Sequence, residues 1–211
     1  MILYWGSGSM YAWRVMLALL LKDLSYESHQ LSFSQREHKD VAYTALNPRG
    51  KVPTLVDGDL VVTESIAILA YLDRAYPRTP LLGNSPAEGA RIWREVMELE
   101  NYLVRAADPL LRALFFRRWS RQVPALKAEV VKVMTELDRV ERSAVEIGAF
   151  NAVDCLLVPL VLSLERAKLK AGASEVGLRS FDRQRWPKLA ARLSAVETME
   201  GFAETFPPHW R

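Results

Sequence analysis

The chain has 211 residues and a formal net charge of +3, with half its residues hydrophobic and a quarter charged. Lys and Arg are spread along it rather than gathered into a nucleic-acid-binding block, and the basic stretch near 105–118 is flanked by acids, as on a solvated helix face. The single cysteine, Cys155, excludes an intrachain disulfide framework or a CxxC site, and the scattered His29, His38 and His209 argue against a metal centre.

Met1 leads into ILYW without the basic start of a secretion signal, and the most apolar run, Val15 to Leu21, is too short to span a bilayer. A cytoplasmic protein with no membrane partner is expected. The first eighty or so residues read as a small α/β unit. Ile2 to Trp5 predicts a buried strand, Ala12 to Lys22 a buried helix and Tyr26 to Leu31 a weaker strand. Lys39 to Leu46 predicts a short helix or turn ended by Asn47-Pro48. In VPTLVDGDLVV, Asp57-Gly58 between two β-prone runs predicts a hairpin, because that turn needs positive φ. A helix over Ser65 to Tyr76 stops at Pro77. The order is β-α-β-α-β-β-α.

The Pro- and Gly-bearing segment PRTPLLGN then reads as a linker. Ser85-Pro86-Ala87-Glu88 combines an N-cap serine, a first-turn proline and a capping-box glutamate, predicting a long helix with a kink at Asp108-Pro109. Leu126, Val130, Val133, Leu137 and Val140 form one helical stripe. Asn151 to Asp154 caps the very apolar CLLVPLVLSL, which belongs at the centre of a bundle and is expected to bend at Pro159. Trp186-Pro187 opens a last helix, and FPPHWR is an irregular tail. Two domains are expected, 1–78 and an all-helical 86–211.

The segment WGSGSMYAWRV places a glycine-containing loop between a strand and a helix, where backbone N–H groups favour an anion. Phosphate fits poorly. Tyr11 stands where a dinucleotide fingerprint needs its third glycine, and Met10-Tyr11-Ala12 lacks the ending of a P-loop. A thiolate fits better, since Ser9 could donate to sulfur and lower a thiol pKa. Neither Ser9 nor Ala12 is cysteine, so the sulfur must come from a ligand. Ser9 as a plain N-cap is the competing reading.

Other residues extend the ligand. Val52-Pro53 before a strand suggests a cis bond that frees the Val52 backbone to pair with an extended ligand, or a plain edge-strand proline. Ser65 and the helix start behind it suit a carboxylate and Glu64 an ammonium, unless Ser65 only caps. His38, Lys39 and Lys51 are cations for a second carboxylate, or solvated surface charges. One molecule with an amino-acid head, an extended body, a thiol and a distal carboxylate would use them all: glutathione.

Three segments, LYWGSGSMYAWRVMLAL, EHKDVAYTALNPRGKVPTLVDGDLVVTESIAILAYLD and FNAVDCLLVPL, resemble the cytosolic glutathione transferase superfamily over nearly the whole chain. The resemblance implies a thioredoxin-like α/β domain followed by an all-α domain and, usually, a homodimer. It implies Ser9 as the thiol-activating serine, Val52 as main-chain partner of the cysteinyl unit, and Pro53 as cis-proline. Glu64 and Ser65 would take the γ-glutamyl end, and His38, Lys39 and Lys51 would surround the glycine carboxylate. SMYAWRV is similar to SSCSWRV of the zeta class and SPFVMRV of the tau class, and EHK to the phi class. Met10 and Tyr11 depart from the zeta pattern, which argues against a maleylacetoacetate isomerase. Tyr11, and less so Tyr4, compete with Ser9 as hydroxyl donor.

The expected activity is glutathione transfer to a small apolar electrophile, with no metal and with a role in detoxification. Met10, Tyr11, Tyr102, Leu111 and Phe115 are candidates for the second-substrate wall, and Arg105 for an acidic substrate's anchor. The alternatives are a glutathione-dependent isomerase or peroxidase, or a non-catalytic binding module.

Overall fold

Four short strands, β1 (Ile2–Trp5), β2 (Glu27–Gln30), β3 (Thr54–Asp57) and β4 (Leu60–Thr63), form one mixed sheet in the order β2-β1-β3-β4. A computed structural model describes residues 1–143 and 149–210. β2 runs parallel to β1, reached through the crossover helix α1 (Met10–Leu21), while β3 is antiparallel to both β1 and β4. Leu3 and its cross-strand partner Leu55 are both 0% exposed. β2 is shorter than the predicted Tyr26 to Leu31 and exposed throughout, because it is an edge strand.

The hairpin forms one residue later than predicted. Asp57 pairs with Leu60, so the loop is Gly58-Asp59, with Gly58 at φ +59°. Asp57 remains in the strand, where its carboxylate accepts hydrogen bonds from Tyr71 (2.8 Å) and Tyr76 (2.5 Å). These bonds hold Asp57 below the ordinary carboxylate value and push Tyr76 up to about 12. The clamp is therefore complete at neutral pH and is lost as pH falls through the depressed Asp57 value. A 3₁₀ turn (Glu37–Lys39) and α2 (Val41–Leu46) precede β3, and α3 (Ser65–Ala75) follows β4 and stops before Pro77.

The chain divides into two compact units, the first containing residues 1–88 together with 199–210, the second containing 89–198. The tail predicted as an irregular end is partly ordered as α9 (Phe202–Thr205) and a 3₁₀ turn (Pro208–Trp210), and α9 packs on α1. Arg211, the end of FPPHWR, lies outside the described residues.

In the helical part, α4 (Pro86–Glu98) starts as predicted at Ser85, whose Oγ accepts from the Glu88 N–H at 3.2 Å. The Glu88 carboxylate reaches back one residue further than a regular capping box, accepting from Asn84 N–H at 2.8 Å. The predicted long helix is divided before it reaches Asp108-Pro109. A wide-turned π segment (Leu99–Val104) comes first, and Pro109 lies inside α5 (Arg105–Phe115). A proline clashes with the carbonyl four residues before it, here Arg105, and widened turns just upstream accommodate such a break.

The predicted stripe of α6 (Val123–Ser143) is buried at every position. α7 (Ala152–Ala167) is the apolar centre, and α8 (Pro187–Glu197) begins at Trp186-Pro187. Asn151 and Asp154 make the capping box. Val153 N–H donates to Asn151 Oδ1 (2.9 Å), and Asn151 N–H donates to Asp154 Oδ2 (2.7 Å). Asp154 also takes a bidentate ion pair from Arg192 of α8, at 2.5 and 2.8 Å. Among the described residues no helix is long and apolar enough to cross a membrane.

Asn151→Ala should cost about 1 kcal/mol, the worth of one N-cap. Asp154→Ala should cost more, because it removes both its share of the capping box and the bidentate pair with Arg192. Urea midpoints of the two variants measure the difference.

Candidate active site

β1 ends in a turn that delivers the chain to α1. Ser9 N–H donates to Gly6 O at 3.1 Å, and Gly8 occupies the third turn position at φ +84°, which glycine adopts without strain. Ser9 is the N-cap of α1. Its Oγ accepts from Ala12 N–H at 3.3 Å, so the capping reading of Ser9 holds. That bond uses an oxygen lone pair and leaves the hydroxyl proton to donate elsewhere. No acid stands in the first turn of α1, so nothing there opposes an anion at its positive end.

The rings of the two competing tyrosines make contacts of their own. Arg14 Cζ lies 4.6 Å from the Tyr11 ring centroid, and Tyr4 stacks between His29 (4.6 Å) and Tyr43 (5.8 Å).

The second element is the loop before β3. The Val52-Pro53 bond is cis, as the sequence suggests, and β3 pairing starts only at Thr54. The loop is fastened from below. Asn47 Nδ2 donates to Lys51 O at 2.8 Å, and the Tyr43 hydroxyl donates to the same carbonyl. Lys39 Nζ donates to Arg49 O (3.1 Å) and Gly50 O (2.8 Å). Gly50 has φ +55°, and a Cβ there would stand 2.7 Å from the His38 carbonyl, so glycine is required.

This alters the reading of the three expected cations. The Lys39 ammonium is committed to backbone carbonyls, whereas Lys51 is exposed. His38 is pushed below its ordinary value by burial, reinforced by Lys39 and Arg36, so it is neutral at pH 7. Its Nδ1 is buried without a hydrogen-bond partner, and its ring meets Phe33 edge-on at 5.2 Å. His38 suits a neutral hydrogen-bonding group better than a cation.

The third element is the start of α3. Glu64, its N-cap, is exposed and held at φ 68°, ψ 115°, a conformation that costs a side-chain-bearing residue about 1–3 kcal/mol. Ser65 is 6% exposed, and its Oγ accepts from the buried Arg14 Nη1 at 3.3 Å. That bond likewise leaves the Ser65 proton to be donated to an anion.

Of the second-substrate candidates, Met10 and Tyr11 sit on the first turn of α1. Tyr102 (59% exposed) and Arg105 line an open hollow of about 280 Å³ with Pro109 and the α6 residues Glu129, Lys132 and Glu136. Leu111 is 6% exposed and belongs to the helical core, and Phe115 packs under Lys170 Nζ at 5.6 Å. Sequence reasoning missed Arg14, Tyr43, Asn47, Ser7 and His209. Only Asn47, in the motif NPRGK, carried a usable signal. Among the described residues no group of three or more His, Cys, Asp or Glu is arranged to hold a metal ion.

The model of the glutathione S-transferase N-terminal domain matches residues 1–74. Glutathione S-transferase A of Pleuronectes platessa is 30% identical over 220 residues, covering 100% of this chain and 92% of that protein. Glutathione S-transferase Z2 of Arabidopsis thaliana is 46% identical over 79 residues, 37% of this chain and 34% of its own. The crystal structure of a glutathione S-transferase from the Antarctic clam Laternula elliptica superposes with a TM-score of 0.81 at 29% identity, covering 99% of this chain and 93% of that one. The chain belongs to the glutathione S-transferase family, and it is a glutathione transferase with a thioredoxin-like domain followed by a helical part.

Proposed function

We propose that glutathione binds with its sulfur at the Ser9 end of α1, its cysteinyl backbone along Val52 beside Pro53, and its γ-glutamyl end at Glu64 and Ser65. Lys51, Lys39 and His38 face the glycine end, with Lys51 supplying the charge. The observation that supports this most directly is the N-cap hydroxyl of Ser9, which satisfies Ala12 N–H through its oxygen and keeps a proton for sulfur. The thiolate then attacks an electrophilic carbon of a small apolar substrate. A C–S bond forms as the leaving group departs with its electron pair, or as an adjacent π bond takes the pair and is later protonated. Met10 and Tyr11 on the first unit, and Tyr102, Arg105 and Phe115 on the second, remain the proposed second-substrate contacts, and the core residue Leu111 leaves that set. The proposal includes a cytoplasmic homodimer acting in detoxification, as the resemblance implies, and light scattering in solution tests the dimer.

A second reading, a glutathione-dependent isomerase, is favoured by one comparison. The maleylacetoacetate isomerase of Pseudomonas aeruginosa is 43% identical over 91 residues, 42% of each chain. A panel of aromatic halides and maleyl diacids separates the two, because isomerisation returns glutathione unchanged and transfer consumes it.

Ser9→Ala should raise the pKa of the bound thiol and cut kcat/KM by about 10–100-fold at neutral pH, the worth of one hydrogen bond to a charged group. Ser9→Thr, which keeps both cap and hydroxyl, should retain most of the activity. Thiolate absorbance across a pH series measures both, and an unchanged thiol pKa in Ser9→Ala refutes the role. Glu64→Gln should raise KM for glutathione with little change in kcat at saturation, since it removes an ammonium partner remote from the sulfur. Initial-rate kinetics with glutathione varied test this split.

A further inference from the structure

Ser7 and His209 are 202 residues apart in sequence, yet Ser7 Oγ and His209 Nδ1 are 2.6 Å apart. Ser7 lies inside the turn Gly6 to Ser9. The imidazole also covers the next residue, where a Cβ on Gly8 would stand 3.0 Å from His209 Cε1 and 3.3 Å from Nε2. The absence of a side chain at Gly8 therefore makes room for the ring.

The segment carrying His209 is anchored to α1 at several points. Trp13 Nε1 donates to the buried Thr205 Oγ1 at 2.9 Å. Phe206 and Trp210 meet the Trp13 ring edge-on at 5.2 and 5.8 Å, and Phe202 lies 6.2 Å from it. Trp210 N–H donates to Pro207 O at 2.9 Å and closes the last turn. The tail is thus docked on the same helix whose first turn follows Ser9.

The turn contains two glycines. Ser9 is tied to its neighbours by Ser9 N–H to Gly6 O at 3.1 Å, Trp13 N–H to Ser9 O at 3.0 Å and the longer Ala12 N–H to Ser9 Oγ at 3.3 Å, while Ser7 and Gly8 between them carry no bond of that turn. A hydroxyl that must meet a sulfur has to be held within a fraction of an ångström. We propose that Ser7 and His209 are positioning residues for the thiol site, their hydrogen bond clamping the Gly6 to Ser9 turn so that Ser9 is presented to sulfur. This rests on the function proposed above. The clamp tolerates either state of the imidazole, because Ser7 O–H donates to neutral Nδ1 and a protonated Nδ1–H donates to Ser7 Oγ.

The test uses full-length Ser7→Ala, His209→Ala, the double variant, and His209→Asn, whose side-chain amide stands near the position of Nδ1. Two readouts are taken: the pKa of protein-bound glutathione by thiolate absorbance, and amide hydrogen exchange of residues 8–12 without ligand. Each single alanine variant should raise the thiol pKa, lower kcat/KM at pH 6.5 by about 3–10-fold, and speed exchange in the turn. The double variant should be no worse than the worse single one, because the two changes remove one shared interaction. His209→Asn should restore the thiol pKa.

An unchanged thiol pKa in His209→Ala overturns the proposal, as does a double variant whose loss is the product of the single losses. A fall in melting temperature without a pKa change also overturns it, leaving the tail a packing element only. If the wild-type protein binds no thiolate near neutral pH, the proposed function fails and the positioning role with it. In the other failures the wild-type thiolate signal persists, which tells them apart.

Discussion

The first amides of α1 have no acceptors within their own helix. One oxygen, Ser9 Oγ, takes the Ala12 N–H. The remaining positive end of the dipole is what any bound anion meets. α3 starts differently, with Glu64 at its N-cap making no side-chain cap bond and Ser65 as its first residue, and α1 and α3 pack together. Arg14 joins the two starts, its guanidinium on the Tyr11 ring and donating to Ser65 Oγ at 3.3 Å. A buried cation adjoining the start of α3 adds to its positive potential. Under the function proposed above, these two helix starts would draw the negative groups of one ligand, and the neighbouring Glu64 would suit its ammonium.

The helical unit answers a different constraint. α7 is buried on all sides, so its polar ends must be satisfied internally. Its start is closed by the Asn151–Asp154 box and the Arg192 pair. Glu95 of α4, 1% exposed, is held by Arg94 at 2.7 Å and Arg139 at 3.5 Å. The π segment before Pro109 interrupts the regular α geometry between α4 and α5.

Much of this is legible in the sequence where the signal is local. The β-α-β-α-β-β-α order follows from apolar runs and turn residues, the α6 stripe from its spacing, and the α7 cap from Asn151 and Asp154. Val52-Pro53 is readable because only an X-Pro bond readily goes cis, whereas the positive φ of Glu64 is not written in its own residue type. The rest depends on partners far apart in the chain. Nothing near Lys39 reveals that its ammonium fastens the carbonyls of Arg49 and Gly50, or near His38 that burial keeps it neutral. Asp57 reads as a turn residue because Asp-Gly is a turn signal. It stays in the strand because two tyrosines from α3 and its end claim the carboxylate. Ser7 and His209 lie at opposite ends of the chain, and no pattern links them.

Glu64 carries a consequence for how such a protein tolerates change. Its positive φ, 68° with ψ 115°, suits glycine better than a glutamate. Selection for heat resistance alone would therefore drift toward glycine at this position, relieving the strain while discarding the carboxylate. Under the function proposed above, the N-cap of α3 is where durability and ligand recognition would pull against each other, and its glutamate would answer to use rather than to folding.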